Sequence, residues 1–153
     1  MTPMPQPAAG APAFEAVDQH GHPHRLADYA GRRVVLYFYP KDDTPGCTAQ
    51  ACDLRDHYAR FAAAGYAVLG VSPDPAASHA RFAQKFDLPF PLLADPDKHL
   101  AQAYGVWQEK KNYGRTYWGI VRTTFLIAPD GTIERIIKKP DTKAHTAQIL
   151  GGG

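Results

Sequence analysis

Val34-Val35-Leu36-Tyr37-Phe38-Tyr39 is an unbroken run of β-branched, aliphatic and aromatic residues, and Pro40 ends it. No charged group interrupts it, so neither face of an extended chain would be wetted. Such a run fits a strand buried on both faces of a sheet. Tyr66 to Val71 repeats the pattern and predicts a second buried strand. Between them, Leu54, Tyr58 and Phe61 recur at spacings of four and three with charges interspersed. This predicts a helix from about Cys47 to Ala64, with Gly65 as its C-terminal cap.

The remaining chain continues in the same manner. Phe14 to Val17 and the turn His20-Gly21 predict an opening hairpin. Ser78 to Phe86 reads as a helix with Phe82 and Phe86 on one face. Pro91 to Ala94 reads as a short strand, and Lys98 to Tyr104 as a short helix closed by Gly105. Thr123 to Ile127 and Ile133 to Ile137 flank Pro129-Asp130-Gly131, a strong hairpin signal. Thr142 to Leu150 predicts a last helix. Strand, helix, strand, helix and then a hairpin imply an α/β core with a central mixed sheet flanked by helices. A thioredoxin-like layout satisfies this order, as do other α/β folds.

The chain has 153 residues, 44% hydrophobic and 21% charged, which suits one globular domain. A formal charge of +2 is too weak to point to nucleic acid or an anionic membrane as partner. The run from Val34 to Tyr39 is far too short to span a bilayer. Met1 to Pro12 is rich in proline and alanine, without the basic and apolar regions of a signal peptide. The expectation is a flexible leader over residues 1–12, a single domain over 13–153, a cytoplasmic location and a monomer. In a reducing compartment, two cysteines are more often catalytic, metal-binding or merely buried than a permanent staple.

The segment Pro40-Lys41-Asp42-Asp43-Thr44-Pro45-Gly46-Cys47 joins the first buried strand to the first long helix. Loops at the carboxyl ends of such strands are where α/β sheets place ligands. Cys47 falls in the first helical turn, where unpaired N–H groups and the helix dipole favour an anion. A thiolate is such an anion and is the reactive form of cysteine. Pro45 and Gly46 form a rigid turn in which backbone can approach a small substrate. Thr44 offers a hydroxyl that can donate to sulfur or accept from a peroxide O–H. Alone, a cysteine at a helix start is more often a small buried residue. No tetrahedral set of cysteine and histidine ligands completes a metal site around Cys47 and Cys52.

The pattern Pro-x-x-x-Thr-x-x-Cys after a buried strand resembles the active-site signature of peroxiredoxins, with Pro40, Thr44 and Cys47 in matching places. The longer stretches Tyr37 to Lys41, Thr44 to Thr48 and Ala51 to Asp56 are similar to the bacterioferritin comigratory (PrxQ) subfamily. So are Leu69 to Ser72, Phe90 to Asp95, Tyr104 to Trp107 and Ile120 to Ile127, and the likeness spans roughly residues 13 to 140. The resemblance implies a thioredoxin-like fold and a peroxidase needing neither metal nor organic cofactor. Its substrate would be a hydroperoxide, bound around Pro40, Thr44, Gly46, Cys47 and Arg122. The nucleophile would be Cys47, and Arg122 would stabilise the charge that develops on sulfur and both oxygens. Cys52 would resolve the resulting sulfenic acid, and thioredoxin or a similar dithiol would reduce the disulfide.

That last step faces a geometric obstacle. Positions five apart on an α-helix differ by about 7.5 Å along the axis and roughly 140° around it. Their Cα atoms then lie roughly 8–9 Å apart, beyond the reach of a disulfide. If both cysteines occupy one helix, its first turns must unwind before they bond.

Two other classes of function remain in view. A thioredoxin-like disulfide oxidoreductase usually carries Cys-x-x-Cys, whereas the spacing here is Cys-x-x-x-x-Cys, and Pro40 and Thr44 would be unexplained. A non-enzymatic redox sensor would use the disulfide to switch a surface. His20, His22 and His24 alternate as metal ligands can, but Gly21 and Pro23 between them favour a solvated turn. His57, His79 and His99 are expected to be exposed on helices. Tyr37, Trp107, Tyr117 and Trp118 are expected to pack in the core or under loops, with Tyr37 and Trp118 as candidate walls of the pocket. The chain ends Ile149-Leu150-Gly151-Gly152-Gly153, short of the longer closing helix usual in the family.

Overall fold

The computed structural model describes residues 3–151. Met1 and Thr2 of the expected leader, and Gly152 and Gly153 of the closing glycine run, lie outside them. The predicted run forms β3 (Arg33–Phe38), the central strand of a five-stranded sheet. Its order is β5 (Leu92–Ala94), β4 (Tyr66–Ser72), β3, β8 (Thr123–Ile127), β9 (Ile133–Ile137). The β3–β4 and β4–β5 pairs are parallel, while β3–β8 and β8–β9 are antiparallel. The sheet is therefore mixed, as expected.

The alternation of a strand explains why β3 is apolar throughout. Val34, Leu36 and Phe38 point into one buried cluster with Leu69, Phe125 and Tyr104. Val35, Tyr37 and Tyr39 point into another with Leu54, Phe61 and Phe82. The second cluster is covered by α1 (Pro45–Asp56), α2 (Tyr58–Ala63), α3 (Ala76–Phe86) and α5 (His145–Leu150). The first is covered by α4 (His99–Ala103) and by the small hairpin β1 (Glu15–Val17) and β2 (Pro23–Arg25).

Three expectations are corrected. The helix predicted through Ala64 is two helices. His57 leaves helical geometry (φ −114°, ψ 16°), and its Nδ1 donates to the Asp53 carbonyl at 2.7 Å. A hairpin not expected from the sequence, β6 (Trp107–Asn112) with β7 (Arg115–Ile120), forms a separate two-stranded sheet. It places Tyr117 at 44% and Trp118 at 49% exposure, so neither is a core residue. Finally, the described part of the leader lies against the domain. Gly10 bridges Thr132, and the Ala8 amide donates to the Ile133 carbonyl at 2.8 Å.

Candidate active site

The site forms where β3 ends and α1 begins. Thr44 takes the N-cap position with extended backbone (φ −98°, ψ 155°), and Pro45 starts the helix, where a missing N–H leaves no bond unmade. Cys47 consequently sits in the first turn of α1, among N–H groups that point their positive ends at an anion. Its side chain packs with Tyr37 and Tyr39 and is only 2% exposed.

Arg122 reaches this sulfur from 75 residues away in sequence. The antiparallel pairing of β3 with β8 sets Thr123 opposite Phe38, so the start of β8 lies at the same edge as the end of β3. From there Arg122 Nη2 donates to Cys47 Sγ at 3.2 Å, and Nη1 donates to Gln50 Oε1 at 2.6 Å. Cys47 and Gln50 are three apart on α1 and share a face. The planar guanidinium is held between them by both arms. Gly46 lies beneath it: a Cβ there would come within 3.3 Å of Nη2, tighter than ordinary packing. The close approach that Gly46 permits is thus the arginine's.

Thr44 Oγ1 donates to the Lys41 carbonyl at 3.0 Å. Its hydrogen is committed to that carbonyl, and its lone pairs stay available to accept a peroxide O–H. Pro40 is partly buried at the end of β3. Cys52 is a half-buried free thiol on the same intact helix as free Cys47. The five sequence-predicted site residues other than Cys52 therefore gather at the end of β3, and Cys52 lies more than a turn further along α1.

Sequence reasoning missed four residues around the site. Gln50, fully buried, orients Arg122; a glutamine three residues after Cys47 was the available signal. Its Nε2 and the Tyr37 hydroxyl are buried without a hydrogen-bond partner among the described residues. Burial first, and then the charges of Cys47 and Asp42, push the Tyr37 phenol well above its ordinary range. Asp53, beside Cys52, accepts the Thr146 amide at 2.7 Å and so ties α5 to α1. His145 of α5 bonds Thr124 Oγ1 and Gln148 Oε1, each at 2.8 Å. Burial holds its imidazole below the ordinary 6.5, outweighing the opposing pull of Gln148 and Asp53. The fourth is His79, whose ring meets Asp42 in the loop before α1.

Other candidates fall outside the site. His24 is engaged by Asp18 at 2.7 Å and Tyr29 at 2.6 Å, while His20 and His22 are exposed. Trp118 stands against Trp107 on the β6–β7 hairpin, with ring centroids 6.2 Å apart. A cavity of about 440 Å³ opens at the other end of β3, between Leu26, Tyr29, Val34 and Ile127, and contains none of the site residues.

The model of the AhpC/TSA family matches residues 7–136. Peroxiredoxin Bcp of Bacillus subtilis is 47% identical over 140 residues, covering 92% of this chain and 89% of that protein. Peroxiredoxin Q of Xanthomonas campestris superposes with a TM-score of 0.87 at 37% identity, over 96% of this chain and 92% of that one. A structure of the Xanthomonas campestris bacterioferritin comigratory protein, described in connection with alkyl peroxide reduction, gives 0.87 at 36% identity. It covers 98% of this chain and 95% of its own.

Proposed function

The chain belongs to the AhpC/TSA family and is a peroxiredoxin of the Bcp/PrxQ type, and from that premise we propose how its own residues carry the peroxidase reaction. Cys47 thiolate attacks one oxygen of a hydroperoxide. The O–O bond breaks, sulfur is oxidised to a sulfenic acid, and the other oxygen leaves as hydroxide or alkoxide and is protonated to water or alcohol. The observation that carries this reading is the bidentate Arg122, with one arm on Cys47 Sγ and the other on Gln50. A fixed cation already aimed at the sulfur meets the charge spreading over sulfur and oxygens without reorganising. Thr44 accepts the peroxide O–H and orients the attack.

Cys52 then displaces water from the sulfenic acid, giving a Cys47–Cys52 disulfide. A dithiol such as thioredoxin reduces it, leaving two thiols here and a disulfide on the reductant. The substrate is hydrogen peroxide or an alkyl hydroperoxide, and the protein acts as a cytoplasmic monomer without nucleic-acid or membrane partners. Peroxide consumption coupled to thioredoxin, thioredoxin reductase and NADPH tests the cycle. Wild-type protein turns over both peroxides, and Cys47→Ser turns over neither. Substantial turnover by Cys47→Ser would remove Cys47 from the role.

A further inference from the structure

His79 was expected on a solvated helix face, yet it is fully buried. On α3 it shares the inward face with Phe82, and it meets the loop that leads into α1. Its Nε2 lies 3.0 Å from the Leu93 carbonyl, and its Nδ1 lies 2.7 Å from Asp42 Oδ2. A carbonyl oxygen only accepts, so Nε2 carries a hydrogen. Nδ1 then faces the Asp42 carboxyl, and the two form a fully buried, hydrogen-bonded pair inside the protein.

The rest of the arrangement satisfies the buried Asp42 carboxylate. Asp42 also accepts from the Tyr39 hydroxyl at 2.5 Å and from Ser78 Oγ at 2.7 Å. Its own amide donates to Asp74 Oδ2 at 2.8 Å, and Asp74 is fixed in turn by Ser72 Oγ at 2.7 Å. Burial pushes the Asp42 carboxyl upward. The hydrogen bonds and electrostatic pull of His79 and the hydrogen bonds from Tyr39 and Ser78 outweigh it and hold the group below its ordinary value. Carboxylate, imidazole and second carboxylate do come close enough to grip a cation. Their facing atoms are already bonded to one another and to the protein.

What this network holds is the loop between Pro40 and Thr44. Asp43 follows Asp42 in left-handed backbone (φ 58°), a conformation a non-glycine residue keeps only when its surroundings impose it. Asp42 is clamped on one side of it, and α1 starts on the other. Among the described residues, the further side-chain contact of Asp43 is an exposed bridge to Lys85 at 2.8 Å, which is weak. Thr44 is the next residue, and Cys47 is three beyond it.

We propose that Asp42 and His79 are positioning residues for the peroxidatic site: their buried, hydrogen-bonded pair fixes the strained Asp43 turn and, through it, sets Thr44 against the substrate oxygens. The proposal rests on Cys47 being the nucleophile. The pair touches neither sulfur nor peroxide, so its effect is on geometry. A displacement on the order of 1 Å in such a group costs about 10²-fold in rate.

The test uses the full chain with Cys52→Ser, which leaves Cys47 as the single thiol. Two rate constants are measured: oxidation by hydrogen peroxide, and alkylation by monobromobimane, which needs the thiolate but not Thr44. Asp42→Asn and His79→Gln are expected to slow oxidation by about 10–100-fold and alkylation by less than about threefold. The double variant is expected to be no slower than the slower single, because one pair is broken only once. Tyr39→Phe and Ser78→Ala each remove one donor while keeping the pair, and are expected to slow oxidation by about threefold. They decide the matter if the first two variants do not fold. Unchanged oxidation, an equal fall in both rates, or multiplying effects in the double variant would overturn the proposal. If the unsubstituted parent itself fails to consume peroxide, the fault lies with the assignment of Cys47 and not with the pair.

Discussion

In the proposed reaction, Arg122 is the residue on which the rate depends most after the sulfur itself. Its charge is permanent, and its orientation is set by Gln50 before any substrate arrives. Losing one preorganised donor at a charged transition state costs about 10²–10³ in rate. Arg122→Ala is therefore expected to slow Cys47 oxidation by that amount while the protein stays folded. Gln50→Ala removes only the orienting bond. A hydrogen bond to a charged group contributes about 1.5 kcal/mol at the low end, which predicts a loss of about tenfold. Rapid-mixing kinetics of the first oxidation step measure both. Near-wild-type rates for Arg122→Ala would assign it to structure. A Gln50→Ala loss equal to that of Arg122→Ala would mean that Gln50 itself meets the substrate.

At the scale of elements, α1 carries both cysteines in one continuous helix and cannot do so once they are joined. Disulfide formation is expected to melt its first turns, from about Cys47 to Leu54, giving the segment two states. The structure adds a consequence for α5. The Thr146 amide, in the first turn of α5, is held by Asp53, the neighbour of Cys52. Unwinding through Asp53 withdraws that acceptor. Amide exchange on reduced and disulfide forms should thus show faster exchange in residues 47–54 and also in 146–150 of the oxidised protein. Equal protection of 47–54 in both forms would rule out unwinding and point to an intermolecular resolving thiol. Faster exchange confined to α1 would show that α5 stays docked by its apolar contacts, such as Ile149.

Over the whole molecule, the N-terminal segment and the turn after α4 are locked together. Gly105 has positive φ (70°), and a Cβ there would come within 2.5 Å of the Met4 backbone. Gly105→Ala must both strain its own backbone and displace the segment that crosses it. Left-handed strain alone amounts to about 1–3 kcal/mol. A fall in Tm of about 3–10 °C is expected for a chain of this size. The measurement is thermal unfolding followed by circular dichroism. An unchanged Tm would show that the crossing contributes nothing to stability, and the boundary at residue 13 would then also mark the edge of the packed unit.

What the amino-acid order settled by itself is whatever depends on neighbours in the chain. The apolar run of β3, its stop at Pro40 and the placing of Cys47 in the first turn of a helix are local patterns, and each is present in the structure. The Pro40, Thr44 and Cys47 spacing carried the family resemblance for the same reason. The β6–β7 hairpin was illegible because Glu109-Lys110-Lys111 shows no buried face. Its strands are held by their mutual ladder and by contacts such as Lys110 over Tyr117. His79 looked exposed because its chain neighbours are small or charged, while the partners that bury it stand 14 and 37 residues away. Arg122 stood among the candidates only through resemblance. Its distance from the sulfur follows from the β3–β8 register, which no stretch of local sequence contains. Local periodicity decides which elements form. Which distant charges meet inside is decided by strand register and helix packing, because only these bring together groups that the chain keeps far apart.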